Sequence, residues 1–230
     1  MIRLIFCDTE ALSYDAALRA AEKIPMPKDV IEGNNKGHAR DSIASYILLY
    51  HALTTLYGIE YTEIKRGKCG KPYIEGSPVD FSISHRTGVA LVALSVEGEI
   101  GADIELCLSE DRMKGIGKRY LEGLDFTAAS ALDADVYYSA LSSDGTVENL
   151  TNISDIDNNT LQYGVVTADK SAYSRWTVLE AVLKLDGGGF GSLGRAGELI
   201  AASQIHTAVI NYRGRGYAIC AARHTVTEKS

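Results

Sequence analysis

The chain has 230 residues, 46% of them hydrophobic and 23% charged, enough for one large domain or two closely packed halves with a substantial core. A net charge of -7 argues against a general nucleic-acid binder, whose affinity rests on basic surface. Its four cysteines (Cys7, Cys69, Cys107, Cys220) form no CxxC pair, which argues against a zinc cluster or disulfide scaffold and reads as free thiols in a reducing, cytoplasmic setting. No apolar run spans a bilayer, and the opening MIRLIFCD is too short for a signal-peptide core.

In chain order, residues 2–7 predict a strand, and the acidic, Ala-rich segment after it a short helix. HARDSIASYILLYHALTTLYG predicts a long helix over about 38–57, closed by Gly58. Beyond the turn-rich GKCGKPYIEGSP, Val79, Phe81 and Ile83 alternate with Asp80, Ser82 and Ser84, the pattern of a half-buried strand. VALVALSV is continuously apolar, as a central strand would be, and the EGE turn leads into IGADIEL. These three strands are expected to form an antiparallel meander. Residues 127–170 are rich in Ser, Thr, Asn and Asp and read as a long excursion, with a hairpin expected between TVENL and TLQYGVVT. A helix is expected over 172–186, ending in DGGGFG, and then two strands, HTAVINY and YAICAAR, around an RGRG turn. Each half therefore runs from a helix into a β-meander, an architectural echo without a sequence repeat.

Asp103 and Glu105 in GADIE lie two apart, so a strand points both to one side. Like charges this close repel unless solvent, protons or a cation intervene, and magnesium commonly takes one or two carboxylates plus substrate phosphates. Taken alone, the pair reads as a solvated strand end. Glu180 and Lys184 are less ordinary. With Trp176 they stand at i, i+4 and i+8 on a helix whose Val178, Leu179, Ala181, Val182, Leu183 and Leu185 leave only a narrow polar strip with Thr177. An acid and a base projecting from a largely buried helix need partners or a ligand. Ser84, His85 and Arg86 form a polar turn, Gly70-Lys71-Pro72 is a stiff turn offering a lysine, and Arg40 stands near the start of the long helix. Together these cations suit phosphates. The GGGFG cluster follows a helix rather than preceding one, which suits a C-cap better than a phosphate cradle.

GKPY, FSISH, GADIE and WTVLEAVLK, in that order, resemble the motifs of the 4′-phosphopantetheinyl transferases, in the larger monomeric, surfactin-synthetase-activating class. The resemblance runs from about Arg40 to the glycines after Lys184. It implies an α+β fold of two similar halves, 1–105 and 106–230, each a helix packed on an antiparallel sheet, related by pseudo-two-fold symmetry with the site between them. It also implies Asp103, Glu105 and Glu180 as magnesium ligands, and Lys184 beside the coenzyme A pyrophosphate. Lys71, Ser84 and His85 would line the coenzyme A site, with His85, Arg40 and Lys28 near the 3′-phosphate. The implied reaction is magnesium-dependent transfer of 4′-phosphopantetheine from coenzyme A to a serine of an acyl or peptidyl carrier protein, with Glu180 taking the serine proton and Lys184 stabilising the departing adenosine 3′,5′-bisphosphate. A monomer suffices for such a site, and neither nucleic acid nor membrane is an expected partner. Two departures stand out: Leu179 where the family has lysine, and Arg86 where it has a small hydroxyl residue. They leave open a degenerate relative that binds coenzyme A or a carrier protein without catalysis.

Overall fold

The computed structural model describes residues 1–31, 36–60, 62–67, 70–107, 110–131, 134–157, 160–165 and 171–225. Cys69 and part of the 127–170 excursion, including the end of TLQYGVVT, lie outside them. The elements run β1 (Ile2–Asp8), α1 (Tyr14–Ala21), α2 (Lys28–Ile31), α3 (Lys36–Tyr57), β2 (Lys65–Arg66), β3 (Pro72–Tyr73), β4 (Asp80–Arg86), β5 (Val89–Ser95) and β6 (Ile100–Leu106). They continue through α4 (Glu110–Ile116), β7 (Ala129–Ala131), β8 (Asp135–Ala140), β9 (Thr151–Asn152), β10 (Leu161–Val165), α5 (Ala172–Asp186), α6 (Ala196–Ala201), β11 (Ser203–Tyr212) and β12 (Arg215–His224). The fold is α+β, as the sequence predicts.

Two sheets stack between helices. The first has the order β4-β5-β1-β8-β9 and the second β10-β11-β12-β6, with β7 also on β11. The strand period of two sorts side chains between layers. On β1, Ile5 and Cys7 pack toward α1 and α3, while Ile2, Leu4 and Phe6 enter the core between the sheets. On β12, Ile219 and Ala221 enter that same core, and Cys220 and Ala222 pack under α5. Each sheet thus carries one long helix, α3 on the first and α5 on the second.

The expected meander is only half present. β4 pairs with β5, but β6 leaves them and pairs antiparallel with β12. Side chains of β4 reach β6 across the two sheets: Ser82 Oγ accepts from Ala102 N at 2.9 Å, and Ser84 Oγ donates to Asp103 at 2.7 Å. This also corrects the half-buried reading of β4, because Ser82 and Ser84 are buried. The expected hairpin between TVENL and TLQYGVVT does not form among the described residues; Val147 bridges Leu141 instead, and β10 pairs with β11. From the excursion β8 pairs in parallel with β1, so each sheet takes a strand from the other half of the chain.

Two glycines fix how α5 sits and where it stops. A methyl group at Gly101 would lie 2.1 Å from Ala181 O and 2.5 Å from Leu185 N, so α5 rests directly on the β6 backbone. Gly187, at φ 73°, supplies the left-handed C-cap that ends α5.

Candidate active site

Close contact at Gly101 sets the rest of the geometry. On β6, Ile100, Ala102 and Ile104 pack into the inter-sheet core, which leaves Gly101, Asp103 and Glu105 on the other face, toward α5. One α-turn separates Glu180 from Lys184, so both are brought over that face. Lys184 Nζ donates to Asp103 Oδ1 at 2.7 Å, to Ser84 Oγ at 3.0 Å and to Ala102 O at 3.2 Å. Asp103 is only 2% exposed, and its Oδ2 is buried without a hydrogen-bond partner among the described residues.

A pocket of about 430 Å³ opens here, lined by Asp103, Glu105, Glu180, Lys184, Ser84, His85 and Lys71 among others. Elements distant in sequence therefore bring seven of the eight expected site residues to one cavity. The eighth, Arg40, lies in an adjoining cleft that shares His38, His85 and Arg86 with the pocket. Arg40 donates to Asp41 Oδ1 from Nε at 2.8 Å and from Nη2 at 2.5 Å. Lys28 is exposed and lines neither cavity. Lys71 pairs with Asp80 at 3.1 Å, and Asp80 in turn accepts from Ile100 N at 2.7 Å, which ties the GKP turn to the start of β6.

Burial and neighbouring charge tune these groups. Burial, reinforced by the Asp103 carboxylate, pushes the Glu180 carboxyl up to about 8. Burial also raises Glu105, against the pull of Arg86, whose Nε lies 2.7 Å from Glu105 Oε1. That approach is close enough for an ion pair, yet Arg86 Nε meets no acceptor in hydrogen-bond alignment, so we read it as Coulombic contact only. His85 is lowered to about 4, first by burial and then by His38, whose ring centroid lies 4.9 Å away.

An all-oxygen donor set beside an orphaned carboxylate oxygen fits a hard divalent cation. Among the described residues, however, no three His, Cys, Asp or Glu side chains are drawn together as a ligand shell. Lys184 and Arg86 compensate two of the acids instead.

Sequence reading missed His38, Ser42, Tyr46 and Arg66, which also line the pocket. The first three sit at i, i+4 and i+8 on α3, a stripe along one face of the expected long helix. Arg86 was noted as a departure but not as the partner of Glu105. Leu179 is fully buried beneath α5 and does not line the pocket, so this departure falls in the core rather than at the site.

The chain is similar in part to 4′-phosphopantetheinyl transferases. It is 33% identical over 93 residues to the 4′-phosphopantetheinyl transferase AcpT of Salmonella typhi, and equally to that of Salmonella typhimurium strain LT2. The similarity covers 40% of this chain and 46% of each relative, so it spans under half the length of the proteins it matches. No family model matches the chain. No helix among the described residues is long and apolar enough to cross a membrane.

Proposed function

We propose that the chain transfers the 4′-phosphopantetheine group from coenzyme A to a serine of an acyl or peptidyl carrier protein, releasing adenosine 3′,5′-bisphosphate, as a monomeric cytoplasmic enzyme of the larger class. The observation that carries this reading is the meeting of Asp103, Glu105, Glu180 and Lys184 with Lys71, Ser84 and His85 around one pocket. Partial similarity to AcpT supports the transferase reaction at the level of the family.

Asp103, Glu105 and Glu180 are the residues that would hold magnesium. When bound, that ion would supply charge neutralisation at the pyrophosphate and the developing anionic leaving group. The protein's own part follows from its chemistry. Lys184, a point charge held at the pocket by Asp103, Ser84 and the Ala102 carbonyl, would stabilise the departing bisphosphate. Glu180, whose carboxyl is raised to about 8 by burial and Asp103 in the metal-free chain, would accept the serine proton in its ionised form, which a divalent cation held beside it would favour. His85 and Arg40, at the junction with the adjoining cleft, receive the 3′-phosphate. Lys71 and Ser84 position the nucleotide within the pocket.

Intact-mass analysis of an apo carrier protein incubated with the chain, coenzyme A and magnesium tests the reading. A mass increase of one phosphopantetheine group is expected, lost in Glu180→Gln and Lys184→Met. An unchanged mass across fatty-acid, polyketide and peptide carriers would refute it. One observation favours a second reading, a relative that binds coenzyme A without transfer: Lys184 and Arg86 already compensate Asp103 and Glu105. Calorimetric coenzyme A binding without any carrier modification would decide for it.

A further inference from the structure

The turn that carries His85 and Arg86 into both cavities is held by contacts from outside its own hairpin. Thr87 sits at φ 36° and Gly88 at φ 79°, the paired positive values of the tight two-residue turn that joins β4 to β5. Contacts from outside those strands set where the turn lies. Two contacts come from the exit of β1: Thr9 N donates to Gly88 O at 2.8 Å, and the stem of Glu10 lies so close that a methyl group at Gly88 would meet its Cγ at 2.5 Å. Glu10 is itself gripped by the second sheet. Arg213 Nη1 pairs with Glu10 Oε2 at 3.0 Å, and Arg215 Nη1 with Glu10 Oε1 at 2.8 Å. Arg213 also reaches the buried Asp8 at 3.0 Å, and Tyr212 donates to Asp8 Oδ2 at 2.6 Å. Both arginines stand at the tip of the β11–β12 hairpin, where Arg213 and Gly214 adopt φ 48° and 73°, the paired positive values of a tight two-residue turn.

We propose that Glu10 is a positioning residue: clamped by Arg213 and Arg215, it holds the Arg86-Thr87-Gly88 turn and thereby sets His85 and Arg86 for an anionic phosphate in the cleft they share with Arg40 and Arg215. This rests on the coenzyme A reading of the pocket. Exposed ion pairs contribute little stability singly, and Glu10 is 40% exposed on its side chain. Its importance is geometric, because one carboxylate links the second sheet to a turn of the first.

A simpler role for Glu10 predicts the opposite sign. Glu10 lines the cleft, so its charge alone would repel a phosphate, and removing it would strengthen anion binding. The positioning role predicts that removal weakens it. Metal-free chain is titrated calorimetrically with adenosine 3′,5′-bisphosphate and with adenosine 5′-monophosphate, and the affinity ratio reports recognition of the 3′-phosphate. Wild type is expected to favour the bisphosphate. Glu10→Ala should lose about tenfold of that preference, and Glu10→Gln, which keeps the stem against Gly88 and one of the two acceptors, should recover most of it. Hydrogen exchange in a peptide spanning residues 84–90 of the ligand-free protein should be faster in Glu10→Ala and near wild type in Glu10→Gln. Tighter bisphosphate binding in both variants, or unaltered exchange in Glu10→Ala, would overturn the proposal. A wild-type chain without preference for the bisphosphate would overturn the coenzyme A reading instead, while the exchange measurement would still decide whether Glu10 holds the turn.

Discussion

Gly101→Ala probes the contact on which the whole site depends. The added methyl would stand 2.1 Å from Ala181 O and 2.5 Å from Leu185 N, both backbone atoms of α5 that no rotamer change can clear. Reaching an ordinary contact of 3.4 Å requires α5 and β6 to separate by at least about 1.3 Å. Overpacking of this kind costs about 1–3 kcal/mol, and each kilocalorie lowers the melting temperature of a domain this size by roughly 2–4 °C. A fall of about 2–12 °C is therefore expected by differential scanning fluorimetry. The same displacement carries Lys184 away from Asp103, now 2.7 Å distant, and out of hydrogen-bond range. Misplacing a reacting group by about 1 Å costs on the order of a hundredfold in rate, so carrier-protein modification should fall by that factor in kcat at saturating coenzyme A. A variant with wild-type melting temperature and transfer rate would show that α5 does not seat against β6 as described.

Lys184→Met leaves Asp103 facing a buried orphan position; full burial would cost about 3–5 kcal/mol, and the partial exposure of Lys184 reduces this to about 1–3 kcal/mol, measurable by urea unfolding. Because the Glu180 carboxyl is raised from 4.5 to about 8, it stabilises the metal-free fold fully below about pH 4.5, and that contribution is lost as pH rises through about 8. Thermal melts in chelator should therefore show wild type losing stability relative to Glu180→Gln between pH 5 and pH 9; a constant difference would refute this. His85 is depressed from 6.5 to about 4, so its contribution is present above pH 6.5 and lost as pH falls through about 4; a phosphate beside it favours imidazolium, and bisphosphate binding at pH 6 should take up a proton, visible as a buffer-dependent binding enthalpy. Cys7 and Cys220 are fully buried with thiols pushed up by that burial, and both should react with maleimide only after unfolding.

Local signals in the sequence read well because periodicity and capping are local physics. Residues 172–186 form α5 with the expected ends, since Gly187 can adopt the αL cap and Ser171 accepts from Ser174 N at the other end. The apolar face predicted there is buried residue by residue, from Val178 to Leu185. Partner choice between strands was not legible. VDFSIS, VALVALSV and IGADIEL look like a meander at every position, because nothing in a strand's own pattern says which neighbour takes its backbone. The polar residues of β4 held the missing information: Ser82 and Ser84 are buried, and a buried hydroxyl must find partners, which here lie on β6. The parallel pairing of β8 with β1 had no comparable signature.

The pocket's charge arrangement gives the departures from the family pattern a physical sense. Three carboxylates facing one cavity repel, and burial makes that repulsion more costly than at a surface. Two cations meet the cost in this chain: Lys184, held by three acceptors around Asp103, and Arg86, beside Glu105. A small hydroxyl at 86 would leave Glu105 facing the pocket with only the Leu106 N–H at 2.9 Å for compensation. Leu179 makes the converse point. A lysine there would have to carry its charge out of the core beneath α5, whereas leucine packs among Val178, Val182 and Leu183 without that demand. The cation that accompanies Lys184 near the acids therefore comes from the β4 turn rather than from the residue preceding Glu180. This places greater weight on whatever holds that turn, and the contacts that hold it are those of Thr9 and Glu10 with Gly88.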